Sequence, residues 1–490
     1  MINNLNNLVA MKPYILNILF ITGIYFIPGI PMQGLLAQGA ARANDYEKQW
    51  QAVYELEKKG QPRSAIGIID SIFEQAKKDR VEVQMIKALE YHIRMSAAFE
   101  EDYLRKGIDR IRGEMPSFTS PSTQVLHSLL ADLYMAYYQS NRHLILGRTS
   151  VAGNEPGDMG TWDQQRFEER IFDEYRQSLS NPGILKGTPA SEYQAILEEG
   201  DSLDTFRPTL YDILAHQALD FYRNDEFMAG KPAIRFEVDD PRMIDIAEAF
   251  VRLNLKEKEA FSMKFHALKL YQDLIAFHMD DPDPAALVDR DLHRLRFVYD
   301  HAVFHERDKL LLHTLEQMES LYMGTEPVTE VYYQIALLYN DSGNNYDPKV
   351  SDEHRRDRII AVQYCENAIT EFPSSYGAAR CRVLLKQIKE KKLDAETGYA
   401  GLPGKHILSS LAFRNVKDIY LRIVPLDPEA YRRQKMSWDN EEMLSHYRGL
   451  RHVKQWAVGL PADIDYQEHR TEIAIPPLTE GFYVLMISDD

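Results

Sequence analysis

The hydrophobic period of this chain changes once, and that change divides what it can fold into. From Tyr46 to about Leu393 apolar residues recur at helical spacing; beyond Gly398, Gly401, Pro403 and Gly404 they alternate every second residue. A 3.6-residue stripe cannot be a strand, nor a two-residue alternation a helix. The expected fold is therefore mainly α: an irregular helical-repeat, tetratricopeptide-like array followed by a partial antiparallel β-sandwich. The expected organisation is a leader over 1–43, a helical-repeat region over 44–394, a linker over 395–405 and a β-domain over 406–490.

The helical part opens with Trp50, Val53, Tyr54 and Leu56 on one face. Lys58-Lys59-Gly60-Gln61-Pro62 ends that helix, and Pro62 suits the first turn of the next, whose stripe is Ile66, Ile69, Ile72, Phe73 and Ala76. Further helices are expected at about Val81–Phe99, Gln124–Gln139, Gln164–Leu179, Leu210–Tyr222, Pro241–Leu255, Phe261–His278 and Arg307–Tyr322, with long loops at Gly147–Thr161 and Asn181–Thr188. Within about 327–391, Tyr332-x2-Ile335-Ala336-x2-Tyr339 fits the first helix of a tetratricopeptide repeat. Ala361-x3-Cys365-x2-Ala368-x4-Pro373 fits the second helix and its closing proline. The polar insert Asn340 to Arg356 sets the two halves further apart than a standard repeat allows, and Tyr376 to Lys391 reads as the next helix.

In the tail, Ile419, Leu421 and Ile423 face one side and Tyr420, Arg422 and Val424 the other. Ile473 and Ile475 alternate with Glu472 and Ala474, and His452–Gly459 is a weaker strand. Gly481-Phe482-Tyr483-Val484-Leu485-Met486-Ile487 is apolar on both faces, as a central strand should be. Tyr431 to Arg448 is polar and reads as a helical or irregular excursion. About four strands are visible where a sandwich usually has about seven, so a truncated β-domain is expected.

Composition narrows the function. Basic residues number 57 and acidic residues 74, a net charge of −17, with no basic patch in view, so nucleic acid is not an expected partner. Tyr14 to Ile30 is almost wholly apolar, follows Lys12 and precedes the small residues of Leu35-Leu36-Ala37-Gln38-Gly39-Ala40. That is the pattern of a cleaved signal peptide, with Met11 as an alternative start and a mature N-terminus between Gln38 and Asn44. Asn17, Gly23 and Pro28 interrupt the run, which makes it a poor permanent span. The expected location is the periplasm or cell envelope, with membrane attachment only if the leader stays uncleaved.

The chemistry-bearing residues are few. Cys365 and Cys381 are the two cysteines; on consecutive antiparallel helices in an oxidising compartment they could form a disulfide, and two buried thiols are the alternative. His301-x3-His305-Glu306 would put two imidazoles on one helical face, but Ala302 stands where a zinc protease has glutamate. Asp280-Asp281-Pro282-Asp283-Pro284 reads as a helix stop and cap, and Asn340 to Asp347 misplaces the glycine of a calcium loop. No phosphate loop, dinucleotide fingerprint or Gly-x-Ser-x-Gly elbow occurs. No catalytic, cofactor-binding or metal residue is assigned, and the chain is expected not to be an enzyme.

Several segments together resemble the N-terminal portion of one branch of bacterial alpha-2-macroglobulins: Tyr46-Glu47-Lys48-Gln49-Trp50, Leu56 to Ala65, Trp162-Asp163, Thr209-Leu210-Tyr211-Asp212, Leu411 to Val416, Ile419 to Val424, and Leu478-x2-Gly481-x-Tyr483-x-Leu485. The resemblance spans nearly the whole chain on soft motifs. It implies a macroglobulin domain in the tail and a place in a large protease trap, where cleavage of a bait segment triggers a change of shape and, in many members, thioester capture. The thioester motif Cys-Gly-Glu-Gln is absent: Cys365 precedes Glu366-Asn367 and Cys381 precedes Arg382-Val383. Proteases would then be met through a part lying downstream, with an envelope protein as partner of the helical region. The alternative reading is a secreted tetratricopeptide-type scaffold of the envelope.

Overall fold

The computed structural model describes residues 35–148, 159–197, 203–223, 236–257, 262–398, 400–437, 439–461 and 464–489. Helix makes up 62% of the chain and is followed by a small antiparallel β region, so the mainly α class with a partial sandwich holds. The apolar run of the leader and most of the Gly147–Thr161 loop lie outside the described residues. Among those residues no helix is long and apolar enough to cross a membrane. The chain divides into two compact units, 1–307 and 308–490.

The first unit runs through α1 (Leu35–Lys58), α2 (Pro62–Asp79), α3 (Glu82–Ser96), α4 (Tyr103–Glu114), α5 (Ser122–Ile145), α6 (Gln164–Ser178), α7 (Pro182–Gly187), α8 (Leu203–Phe206), α9 (Leu210–Tyr222), α10 (Ala247–Val251), α11 (Met263–His278) and α12 (Ala285–His301). Helices adjacent in sequence pack in pairs, as α2 does with α3, α5 with α6 and α11 with α12. Gly60 turns the chain between α1 and α2 at φ 66°, a left-handed conformation that a glycine adopts without steric cost, and Pro62 then opens α2. The expected stripe is buried at Ile69, Ile72, Phe73 and Ala76. Trp50, 2% exposed, donates its indole N–H to Gln84 Oε1 at 2.7 Å, so the ring closes the start of the array without an orphaned donor.

Three features depart from the sequence reading. The single helix expected over Pro241–Leu255 is a 3-10 turn, Pro241–Ile244, followed by the short α10, because Asp245 and Ile246 are extended between them. Asn181–Thr188 is not a plain loop: Pro182 starts α7 there. Helix α4 was not foreseen, and of α12 only the start, at the cap read in Asp280 to Pro284, was. The stripe of α12 is interrupted by Arg290 and Arg294, both fully buried, so hydrophobic spacing alone does not reveal it.

These arginines belong to a set of buried ions. Arg294 pairs with Asp291 and donates to the Met243 carbonyl at 2.7 Å. His278, 1% exposed, lies 2.8 Å from Asp212 and 2.7 Å from Asp281 through its two ring nitrogens. Burial opposes its charge, but the hydrogen bonds and fields of the two carboxylates outweigh burial and raise its pKa. For Asp212 burial is likewise outweighed, by His278 and Thr209, and its pKa falls. A raised imidazole contributes stability that is full below its unfolded pKa of about 6.5 and is lost as pH rises through the folded value. A depressed carboxyl contributes above about 3.9, and that is lost on acidification. The pair is therefore most stabilising between about pH 4 and 6.5. We expect His278→Ala to destabilise the fold by about 3–5 kcal/mol in that window, because it strands Asp212 as an unpaired buried charge. Urea unfolding from pH 4 to 8 measures it, and the wild-type advantage should shrink as pH rises.

The second unit holds α13 (Arg307–Tyr322, from Asp308 on), α14 (Val328–Gly343), α15 (Asp357–Glu371) and α16 (Tyr376–Lys389), then β1 (Lys392–Thr397), β2 (Ile407–Arg414), β3 (Asp418–Pro425), α17 (Pro428–Ser437), α18 (Asn440–Gly449), β4 (Lys454–Gly459), β5 (His469–Ile475) and β6 (Tyr483–Ser488). The strands form two three-stranded antiparallel sheets, in the orders β1-β2-β5 and β4-β3-β6. Leu411 and Phe413 of one sheet and Ile419 and Leu421 of the other share one buried cluster with Ile473, flanked by Trp456, Val458, Leu485 and Ile487. The alternation read at Ile419, Leu421 and Ile423 is thus the inward face, while Tyr420 is exposed.

The expected linker over 395–405 is not one. Strand β1 starts at Lys392, directly after α16, and pairs in antiparallel register with β2, so the Gly-Pro stretch is a hairpin connection inside the sheet. Strand β6, expected in a sheet centre, is an edge strand, and all its residues are half-buried.

Candidate functional site

The helix pair read as a tetratricopeptide repeat is where the second unit concentrates its specific contacts. Tyr332 and Ala336 of α14 are buried, as are Ala361, Cys365 and Ala368 of α15, in one cluster with Cys381, Leu384 and Ile388 of α16. Large and small side chains fall in the slots the repeat pattern names, so α14 and α15 nest closely. Helix α16 also approaches α14 closely. A Cβ at Gly377 would stand 2.4 Å from the Thr329 backbone carbon, so only glycine admits that approach. Arg380 lies over the Tyr333 ring at 4.0 Å and bonds Glu330 at 2.6 Å.

Cys365 and Cys381 are fully buried free thiols in this cluster. Their mutual hydrogen bond, reinforced by burial, pushes the Cys381 thiol well above its ordinary range. Both thiols are shut away from solvent, with no bridge between them. We expect iodoacetamide to label neither cysteine in the native protein and both after denaturation without reductant. Mass spectrometry reads the adducts, and a denatured chain with none would mean a disulfide.

The polar insert has a role that the repeat pattern does not show. Arg358, at the start of α15, donates to the Tyr466 carbonyl at 2.7 Å and to Asn344 Oδ1 at 2.5 Å. Arg355 bonds Asp465 at 3.1 Å, and the side-chain amide of Gln467 reaches the His354 carbonyl at 3.4 Å. Asp465 is 5% exposed and also accepts from the Gln467 amide and from His469. Burial disfavours its charge, yet His469, the Gln467 N–H and Arg355 together hold its pKa below the ordinary value. On the other side, Asn415 adopts φ 58° and donates to the carbonyls of Ile388 and Glu390 at 2.8 and 3.0 Å, satisfying acceptors left open at the end of α16. The insert and the end of α16 are thus the surfaces to which the sandwich is bonded.

The remaining sequence candidates fall apart as sites. His301 ends α12 with Nδ1 2.9 Å from the Phe297 carbonyl, while His305 and Glu306 lie beyond the helix, so the two imidazoles share no helical face. Asp281 bonds His278, and Asp283 accepts the Ala285 N–H at the start of α12. Within the insert, Asp347 accepts the Lys349 N–H, and Ser342 bonds His354 and Asp357. Among the described residues no group of three His, Cys, Asp or Glu side chains is placed to hold a metal ion. No family model, curated protein or solved structure matches this chain.

We expect Arg358→Ala to cost about 1–3 kcal/mol in the second unit, because it removes the charged donor to the half-buried Tyr466 carbonyl and to Asn344. Guanidinium denaturation compared with wild type measures the loss.

Proposed function

We propose that this chain is the N-terminal, non-catalytic part of an exported macroglobulin-type endopeptidase inhibitor. The helical array serves as a docking body, and the β-domain is the first of the inhibitor's sandwiches. The observation that carries this reading is the placement of the two segments behind the resemblance. Leu411 to Arg414 and Ile419 to Val424 lie on β2 and β3, the central strands of two facing sheets, and Leu411, Phe413, Ile419 and Leu421 form their common core. A helix pair hydrogen-bonded to that sandwich through Arg355, Arg358 and Asn415 suits a part that holds and orients. The protease partner would be met by a downstream bait, the envelope partner by the helices.

A trap works by a change of state in a large body. The chain from residue 44 onward is therefore expected to inhibit no endopeptidase. The check is cleavage of a large protein and of a small peptide by several endopeptidases, with and without the purified chain. Protection of the large substrate but not the small one would place the trap within these residues and overturn this division of labour. Further β-domains with a bait or Cys-Gly-Glu-Gln in the reading frame beyond Asp490 would support the inhibitor reading; an immediate stop would leave the envelope scaffold in its place.

A further inference from the structure

We propose that Arg207, His216, Arg290 and His293 form an oxyanion-binding site in the first unit, taking one phosphate or carboxylate group. The argument begins with an excess of donors. Arg207 Nη2 stands 2.7 Å from His216 Nε2, and Arg290 Nη1 stands 3.4 Å from Nδ1 of the same ring. A guanidinium has no acceptor, and a neutral imidazole has one acceptor nitrogen and one N–H. One of the two contacts must then set a donor against a donor. Ionising would make both ring nitrogens donors and worsen the conflict, and burial, then Arg207, Arg290, His293 and Arg223, push the ring's pKa down to about 2. Arg290 is fully buried, and its Nε has no hydrogen-bond partner.

The neighbouring carboxylates are already engaged. Asp220 serves Arg223 at 4.0 Å and His216 at 3.9 Å, Asp289 serves Arg290 at 3.2 Å and His293 at 4.0 Å, and Asp212 serves Thr209 and His278. Among the described residues no carboxylate comes within 4.0 Å of Arg207, whose charge burial and Arg290 both disfavour. The fields of Asp289, Asp220 and Asp212 reach Arg207 from beyond that distance and favour its charge without giving its donors an acceptor. Arg207 precedes α9, His216 and Asp220 lie one turn apart on α9, and Asp289, Arg290 and His293 lie on α12, so the groups converge from three backbone segments. The cluster reaches water at His293, whose side chain is 40% exposed, and at Asp220, while Arg290 is fully buried. An oxyanion supplies the missing acceptors and fits the guanidinium fork in bidentate fashion.

The test is calorimetric titration of the intact chain at pH 7 with sodium phosphate and with sodium acetate, each against sodium chloride at equal ionic strength. Saturable binding of at least one oxyanion, absent with chloride, is expected, and which one binds separates a phosphate group from a carboxylate. Arg207→Gln should weaken it at least about tenfold, since a charge-assisted donor is removed. In wild-type protein the ring signals of His216 and His293 should move with the same saturation curve, a readout that survives if the variant fails to fold. No saturable binding of either oxyanion to wild type, or unchanged affinity in a folded Arg207→Gln protein, overturns the site.

Discussion

The guanidinium of Arg358 ties the helix pair of the second unit to the chain of its sandwich. It stands at the start of α15 and reaches two acceptors, one on the insert and one on the chain leading into β5. Hydrophobic burial is non-directional and would let a sandwich slide over a helix pair; hydrogen bonds to a backbone carbonyl do not. Asp465, Gln467 and Asn415 add contacts of the same kind around it. The joint is polar and satisfied, a combination that favours one orientation over extra stability.

The first unit uses buried charge in a related way, inside a helical array instead of at a joint. Arg294 with Asp291, and His278 with Asp212 and Asp281, each bring opposite charges together with hydrogen bonds. Such groups are costly to bury and costlier to separate, so they penalise alternative packings of irregular helices. The cluster around His216 differs because its donors outnumber its acceptors, and that imbalance marks it as a site where the others are structural.

Much of this architecture was legible from residue spacing. The bounds Leu210–Tyr222 and Arg307–Tyr322 follow directly from their apolar stripes, and the slots of Tyr332, Ala336, Ala361 and Ala368 place the repeat pair. The course of helix α12 beyond its cap was hidden because positions on its stripe carry Arg290 and Arg294, whose burial depends on partners distant in sequence. The sandwich joint was hidden for the same reason: Arg358 and Tyr466 are 108 positions apart. Gly398 to Gly404 read as a linker because a hairpin connection and an interdomain linker use the same turn-forming residues; only the pairing of Lys392 with Arg414 separates the two. The His216 cluster carried no motif, since its members come from three separate segments.

That pairing has a practical consequence for anyone dividing the chain. The glycines and proline between β1 and β2 invite a cut, and a fragment beginning there would look like a clean β-domain. It would lack β1, exposing the hydrogen-bonding edge of β2 to solvent and removing Leu393 from the flank of the core. Such a fragment would recruit any extended peptide to that edge, its own copies included, and its aggregation would say nothing of the intact protein. The natural place to divide is ahead of α13, where the compact unit that contains the sandwich begins.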